Sequence, residues 1–132
     1  MKKSSILLIA VLLMTPLVTL GKTIRVKFPP GRTTVVLKGK TTGGPSESGG
    51  MDPIAYHLRA RKGQQMTVHL TSAKKNAVFI IYLPRMEAMI EDISNGTDWT
   101  GTLTRTGDYE IVVFPKDEVT DTTFTLEVTI RG

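Results

Sequence analysis

The sequence predicts an all-β fold, a sandwich or small barrel of about eight strands behind a cleaved signal peptide, and three observations carry that prediction. Apolar residues recur mostly with a period of two, which places alternate side chains on opposite faces of a strand. The segments showing that period are rich in β-branched residues and are separated by Gly, Pro, Asn and Asp turn residues. Helical spacing is confined to one brief stretch, Arg85 to Ile93, where Met86, Met89, Ile90 and Ile93 allow a short helix or a covering loop.

At the front, Lys2 and Lys3 precede an apolar run from Ile6 to Leu13, then Pro16, then small or polar residues around Thr19 and Gly21. This is the pattern of a secretory signal peptide, residues 1–21, with cleavage expected near Gly21. The apolar run is too short for a membrane span of about 20 residues, so no membrane attachment is expected after cleavage. The chain has no cysteine, which rules out a lipoprotein signal and means the exported domain holds together without disulfides. A short leader on a cysteine-free product points to the bacterial periplasm or to secretion. Residues 22–132 then form one domain, long enough to bury a core unaided.

The strands follow in order. Ile24, Val26 and Phe28 alternate with Arg25 and Lys27 until Pro29-Pro30-Gly31 stops them, and Thr34 to Leu37 is the second strand. Thr41 to Pro53 carries too little apolar surface to order itself and reads as a loop. Ile54, Tyr56, Leu58 and Ala60 face one way, with His57, Arg59 and Arg61 facing the other. Lys62-Gly63-Gln64 reads as a hairpin turn returning into Met66, Val68 and Leu70, with Thr67, His69 and Thr71 outward. Ala77 to Leu83 is apolar on both faces, which predicts a central strand. After turn chemistry at Gly96-Thr97-Asp98 come a strand from Trp99 to Leu103, a turn at Arg105 to Asp108, and a strand from Tyr109 to Phe114. Pro115 to Glu118 is the last loop. In the closing strand Phe124, Leu126, Val128 and Ile130 alternate with Thr125, Glu127 and Thr129, giving one wet face.

The net charge is +5, and removing Lys2 and Lys3 with the leader lowers it to +3. Lys22 to Arg85 holds twelve basic residues against Glu47 and Asp52, whereas Met86 onward holds ten acids against Arg105, Lys116 and Arg131. Such a split makes a bipolar surface only if strand interleaving does not cancel it, and cancellation is the expected outcome.

No catalytic constellation emerges: the chain lacks a Cys nucleophile, a Gly-x-Ser-x-Gly elbow and a phosphate-cradling glycine motif. The turn at Lys62-Gly63-Gln64 would put His57 and His69 on one outward face, the start of a metal site, but without further ligands they read as surface histidines. Asp117, Glu118 and Asp121 lack the spacing of an EF-hand and read as a solvated acidic loop. No cofactor is expected. Asn95-Gly-Thr97 fits the glycosylation sequon, which carries no role in a bacterial protein. Trp99 reads as a core anchor rather than a sugar platform. Tyr109 shares the phase of Ile111 and Val113, so it too reads as core, its hydroxyl bonded to a loop backbone.

The run Tyr56-x-Leu-x-Ala-x-x-Gly-Gln64, followed by Gly101-Thr-Leu-x-x-x-Gly-x-Tyr109 and a terminal alternating strand, resembles the bacterial periplasmic inhibitors of g-type lysozyme, and more broadly the pre-peptidase C-terminal β-sandwich domains. The likeness spans Ile24 to Arg131 and implies a single antiparallel β-sandwich. It also implies a non-enzymatic protein that blocks a muramidase by presenting loops to its cleft. The family's short Ser-Gly-x-Tyr-like element reads Thr106-Gly107-Asp108-Tyr109 here, with Thr keeping the hydroxyl and adding a methyl.

The expected partner-binding site is therefore Arg105, Thr106, Gly107, Asp108 and Tyr109, rimmed by Asp117, Glu118 and Asp121, whose acidity would speed encounter with a cationic lysozyme or other cell-wall enzyme. The alternative is an accessory module that binds an anionic envelope polymer such as peptidoglycan through Arg25, Lys27, Arg59, Arg61 and Lys62. Nucleic acid is not an expected partner, because the basic positions lack interleaved exposed aromatics and the chain is exported. Oligomeric state has no signature in the sequence.

Overall fold

Eight strands build two four-stranded sheets in the computed structural model, which describes residues 22–41, 53–117 and 121–132. The leader read at 1–21, residues 42–52 of the Thr41 to Pro53 loop, and Glu118 lie outside the described residues. In chain order the strands are β1 (Lys22–Arg25), β2 (Thr34–Thr41), β3 (Ile54–Ala60), β4 (Gln65–Ser72), β5 (Ala77–Tyr82), β6 (Asp98–Thr102), β7 (Gly107–Pro115) and β8 (Thr122–Arg131).

One sheet has the order β1-β3-β7-β5 and the other β2-β8-β4-β6, so odd-numbered strands form one layer and even-numbered strands the other. Every connection between successive strands therefore crosses from one sheet to the other. All pairings are antiparallel except β1 with β3, which is parallel with Lys22 opposite Ile54. The fold is the expected all-β sandwich of eight strands.

Alternation decides which face each strand buries. Ile54, Tyr56, Leu58 and Ala60 of β3 point inward beside Tyr109, Ile111 and Val113 of β7 and Ala77, Phe79 and Ile81 of β5. Met66, Val68 and Leu70 of β4 and Phe124, Leu126 and Val128 of β8 close the core from the other layer. Tyr56 and Phe124 meet across the layers edge to face, centroids 6.4 Å apart, a geometry that sets a ring's positive edge against a negative face. Trp99 is core as expected, its indole N–H donating to Asp92 Oδ1 at 2.9 Å. That ring lies over Gly101, where a Cβ would come within 2.4 Å of Trp99 Cζ2.

Three local expectations are corrected. The Lys62-Gly63-Gln64 turn does not close a hairpin: β3 and β4 sit in different sheets, and the turn is a corner between them. Gly63 does take positive φ (+93°), and its N–H donates to the carbonyl of Leu103 while Leu103 N–H donates back to Gln64, both at 2.8 Å. The corner thus pairs with the β6–β7 connection instead of folding β3 onto β4.

The apolar strand β5 is an edge strand, not a central one. The segment from Leu83 to Thr97 lies along its open edge, with Gly96 packed against Val78 of the second apolar face, which fulfils the covering-loop expectation; its helical part is a short 3-10 turn at Pro84–Met86. Phe79 N–H donates to Gly96 O at 2.8 Å and Ile90 N–H to Ile81 O at 2.9 Å, so this segment occupies the open edge. Covering an edge in this way removes a template for pairing with other chains.

The first strand stops at Arg25 rather than Phe28. Val26 N–H still donates to His57 O at 2.8 Å, after which the chain turns at Pro29-Pro30-Gly31 with Arg32 N–H bonded to Pro29 O at 3.0 Å. That turn carries the chain over to the other layer.

Candidate functional site

The strand directions gather four pieces of chain at one end of the sandwich: the β1–β2 connection, the corner between β3 and β4, the β6–β7 connection, and the end of β8. The β6–β7 connection carries the turn Arg105-Thr106-Gly107-Asp108.

Tyr109 fixes this turn from below. Its ring is fully buried, its hydroxyl donates to Arg105 O at 2.6 Å, and the same oxygen accepts Arg105 N–H at 3.1 Å. Burial pushes the phenol above its ordinary pKa, and the Arg105 backbone bond and charge oppose the rise. Tyr109 therefore positions the turn, with no surface of its own to offer. Thr106 Oγ1 accepts Lys62 N–H at 2.8 Å, tying the turn to the neighbouring corner. Gly107 has φ +152°, and a Cβ there would come within 2.9 Å of Pro84 Cβ, so the Pro84–Met86 turn packs directly against it. Arg105 reaches the same segment through Glu87, Nη1 to Oε1 at 3.3 Å.

Asp108 projects from the outer face of β7 into a cationic setting. Arg25 grips it with two bonds, Nη1 to Oδ1 at 2.8 Å and Nη2 to Oδ2 at 3.1 Å. Those bonds and Arg25's charge hold its carboxyl below the usual range, with Arg59 and His57 adding to the effect.

The structure separates Asp117 and Asp121 of the expected acidic rim from this turn. Asp117 follows the end of β7 and Asp121 precedes β8, whereas Arg105 to Asp108 leads into the start of β7. The strand between the two ends has nine residues, hence eight steps and a span of about 26 Å at roughly 3.3 Å per step. There Asn76 Nδ2 donates to Asp117 Oδ1 at 3.3 Å, and Asp121 pairs with Lys40 at 3.7 Å. The expected acidic surface around the turn is therefore corrected to a basic one. Arg32, Arg59, Arg61, Lys62 and Arg105 surround it, and the ion pairs Arg25–Asp108 and Lys40–Asp121, with the hydrogen bonds His57–Glu110 and His69–Asp98, each join the basic half of the sequence to the acidic half.

The two histidines are also held apart. His57 lies on the outer face of one sheet beside Glu110, and His69 on the outer face of the other beside Asp98, because β3 and β4 belong to different layers. Among the described residues no group of three or more His, Cys, Asp or Glu side chains stands ready to hold a metal ion.

Next to Thr106 opens a cleft of about 520 Å³. Phe28, Ala60 and Ile130 provide apolar lining, while Arg32, Arg59 and Arg61 supply charge and Gln64 an amide. Arg32 was absent from the basic set read in the sequence, and nothing local to the Pro-Pro-Gly turn signals that the fold brings it to Arg59 and Arg61.

No protein-family model and no curated protein sequence matches the chain. Solved structures do. The crystal structure of PliG from Aeromonas hydrophila, a periplasmic lysozyme inhibitor of g-type lysozyme, is similar with a TM-score of 0.69 and 27% identity, over 85% of this chain and 98% of that one. The Salmonella Typhimurium protein of the same description gives a TM-score of 0.61 at 20% identity, over 84% and 99% of the two chains. The pre-peptidase C-terminal domain of a Bacillus anthracis collagenase gives 0.56 at 12% identity, over 84% and 96%. At such identities the last two likenesses speak to the fold alone. Both groups to which the sequence bore a resemblance are thus structural neighbours, the first two being described as lysozyme inhibitors.

Proposed function

We propose that this chain is a non-enzymatic inhibitor of g-type lysozyme, exported to the periplasm or beyond by cleavage of residues 1–21, and that it presents the Arg105 to Asp108 turn to the enzyme's cleft. The observation that carries this reading is the likeness to the Aeromonas hydrophila inhibitor, which spans 98% of that protein at 27% identity. The turn supports it physically. A hydroxyl, a carboxylate and a guanidinium project from a backbone fixed by the Tyr109 hydroxyl, the Lys62 N–H and the Pro84 contact, so little ordering remains to oppose binding. Arg105, Thr106 and Asp108 make the contacts, Gly107 admits the close approach, and Tyr109 holds the geometry.

The test uses the chain from Lys22 onward in a bacterial-cell lysis assay with g-type, c-type and i-type lysozymes. Saturable protection against the g-type enzyme alone is expected. Replacing Thr106→Val and Asp108→Asn together should abolish most of it, and unchanged inhibition by that variant would place the site elsewhere. N-terminal sequencing of exported protein should begin at Lys22; material that keeps Met1 would refute cleavage.

A further inference from the structure

The cleft beside Thr106 has a charge balance that the turn alone does not explain. Arg32, Arg59 and Arg61 line one concavity of about 520 Å³, a volume within the range of sites that hold a small ligand or an anchoring side chain. All three are exposed. Asp108, opposite Arg59 in register, already has both oxygens engaged by Arg25. Arg32 and Arg61 form no ion pair among the described residues. Three guanidiniums thus share one concavity with Phe28, Ala60 and Ile130, and the Asp108 carboxylate that acts on Arg59 is itself held by Arg25.

The chemistry of such a cleft is specific. A guanidinium offers parallel N–H donors that match the two oxygens of a carboxylate. An apolar floor accepts the methylene stem of an acidic side chain, and Gln64 adds an amide whose oxygen is taken up by Arg61 N–H at 2.7 Å, leaving its NH₂ group to face a ligand.

We infer that this cleft receives carboxylate side chains of the protein partner, making it a second anchoring region beside the turn. The inference rests on the proposed inhibitor function, because Thr106 belongs to both surfaces and a protein engaging the turn meets the cleft. Charge complementarity selects the partner's patch. Most glycoside hydrolases work with paired carboxylates, so a muramidase cleft is a region where acidic groups project. The encounter is then steered by a basic inhibitor pole meeting an acidic enzyme cleft, the reverse of what the sequence order of charges suggested.

The experiment compares wild type, the triple variant Arg32→Gln/Arg59→Gln/Arg61→Gln and the control Lys38→Gln on the outer face of β2, each confirmed folded by circular dichroism. Inhibition constants for g-type lysozyme are measured from 50 to 500 mM salt. The triple variant should weaken inhibition on the order of tenfold to a hundredfold at low salt and flatten the salt dependence, with Lys38→Gln unchanged. Wild-type inhibition by the triple variant would overturn the inference. So would its inhibiting normally while losing retention on insoluble peptidoglycan, which would assign the cleft to wall polymer. Should wild type inhibit no lysozyme, the functional reading itself fails. The cleft is then judged by calorimetric titration with a tetraglutamate peptide: binding lost in the triple variant upholds carboxylate recognition, and no binding refutes it.

Discussion

Tyr109 does the work of several residues in this molecule. Its ring fills the core beneath β7 while its hydroxyl satisfies both backbone groups of Arg105, so one side chain joins core packing to the conformation of the exposed turn. Removing only the oxygen separates the two roles. Tyr109→Phe should keep the fold but leave the Arg105 N–H and C=O without their partner, costing about 1–2 kcal/mol in denaturant unfolding. The turn should loosen with it, so inhibition weakens more than the same stability loss introduced at a distant site such as Val68. Equal effects of the two substitutions on inhibition would reduce Tyr109 to a packing residue. The role of Tyr109 was legible in its phase with Ile111 and Val113, because burial of a phenol demands a partner for its oxygen and the nearby turn supplies backbone groups. The pairing of Asp108 with Arg25 was not legible. The two are 83 positions apart and meet only because β1 lies beside β3, and β3 beside β7.

At the scale of the element, the covering segment from Leu83 to Thr97 explains how a strand apolar on both faces can sit at an edge. Period-two alternation revealed which residues of β3, β4, β7 and β8 are buried, since one face of each meets the core. It carries no information about which strands are neighbours, and turn residues look alike whether a chain doubles back in a hairpin or turns a corner between layers. Those two limits account for the misplaced hairpin and the misplaced centre. The cover depends on Gly96, which has φ +72° and would bring a Cβ within 2.7 Å of Val78 Cγ1. Gly96→Ala must therefore strain the backbone and displace Val78, at a cost of about 1–2 kcal/mol. The loss should be local. Amide exchange at Phe79 and Ile90, whose N–H groups bridge strand and cover, should accelerate by about tenfold, while Leu58 and Ile111 in the central strands keep their protection. Uniform acceleration across all four would mean that the cover and the sandwich open as one unit.

The alternation of successive strands between layers has its largest consequence for the molecule as a whole. With no hairpin among the described residues, each described strand pairs with partners distant in sequence: Thr34 lies opposite Thr129, Ile54 opposite Val113, and Val68 opposite Trp99. The same interleaving places basic and acidic halves of the chain side by side, which is why the charge split of the sequence becomes cross-strand ion pairs and a basic pole. It also puts the two ends of β7 at opposite ends of the molecule, so residues near in sequence to the turn are not its neighbours in space. Folding must close long loops before any pairing rewards the closure, which places this chain at the slow end of the range for small β domains. In double-jump experiments that keep prolyl bonds in their native isomers, refolding should be a single phase on the order of a second. Because both layers share one core, Trp99 fluorescence from one sheet and amide protection of Ile111 in the other should be lost at the same denaturant concentration. Leu126→Ala, which removes a fully buried side chain from between the layers, should lower both midpoints together, by the equivalent of about 2–5 kcal/mol. A millisecond folding phase, or fluorescence and exchange transitions that part company in the variant, would mean that one layer forms and persists without the other.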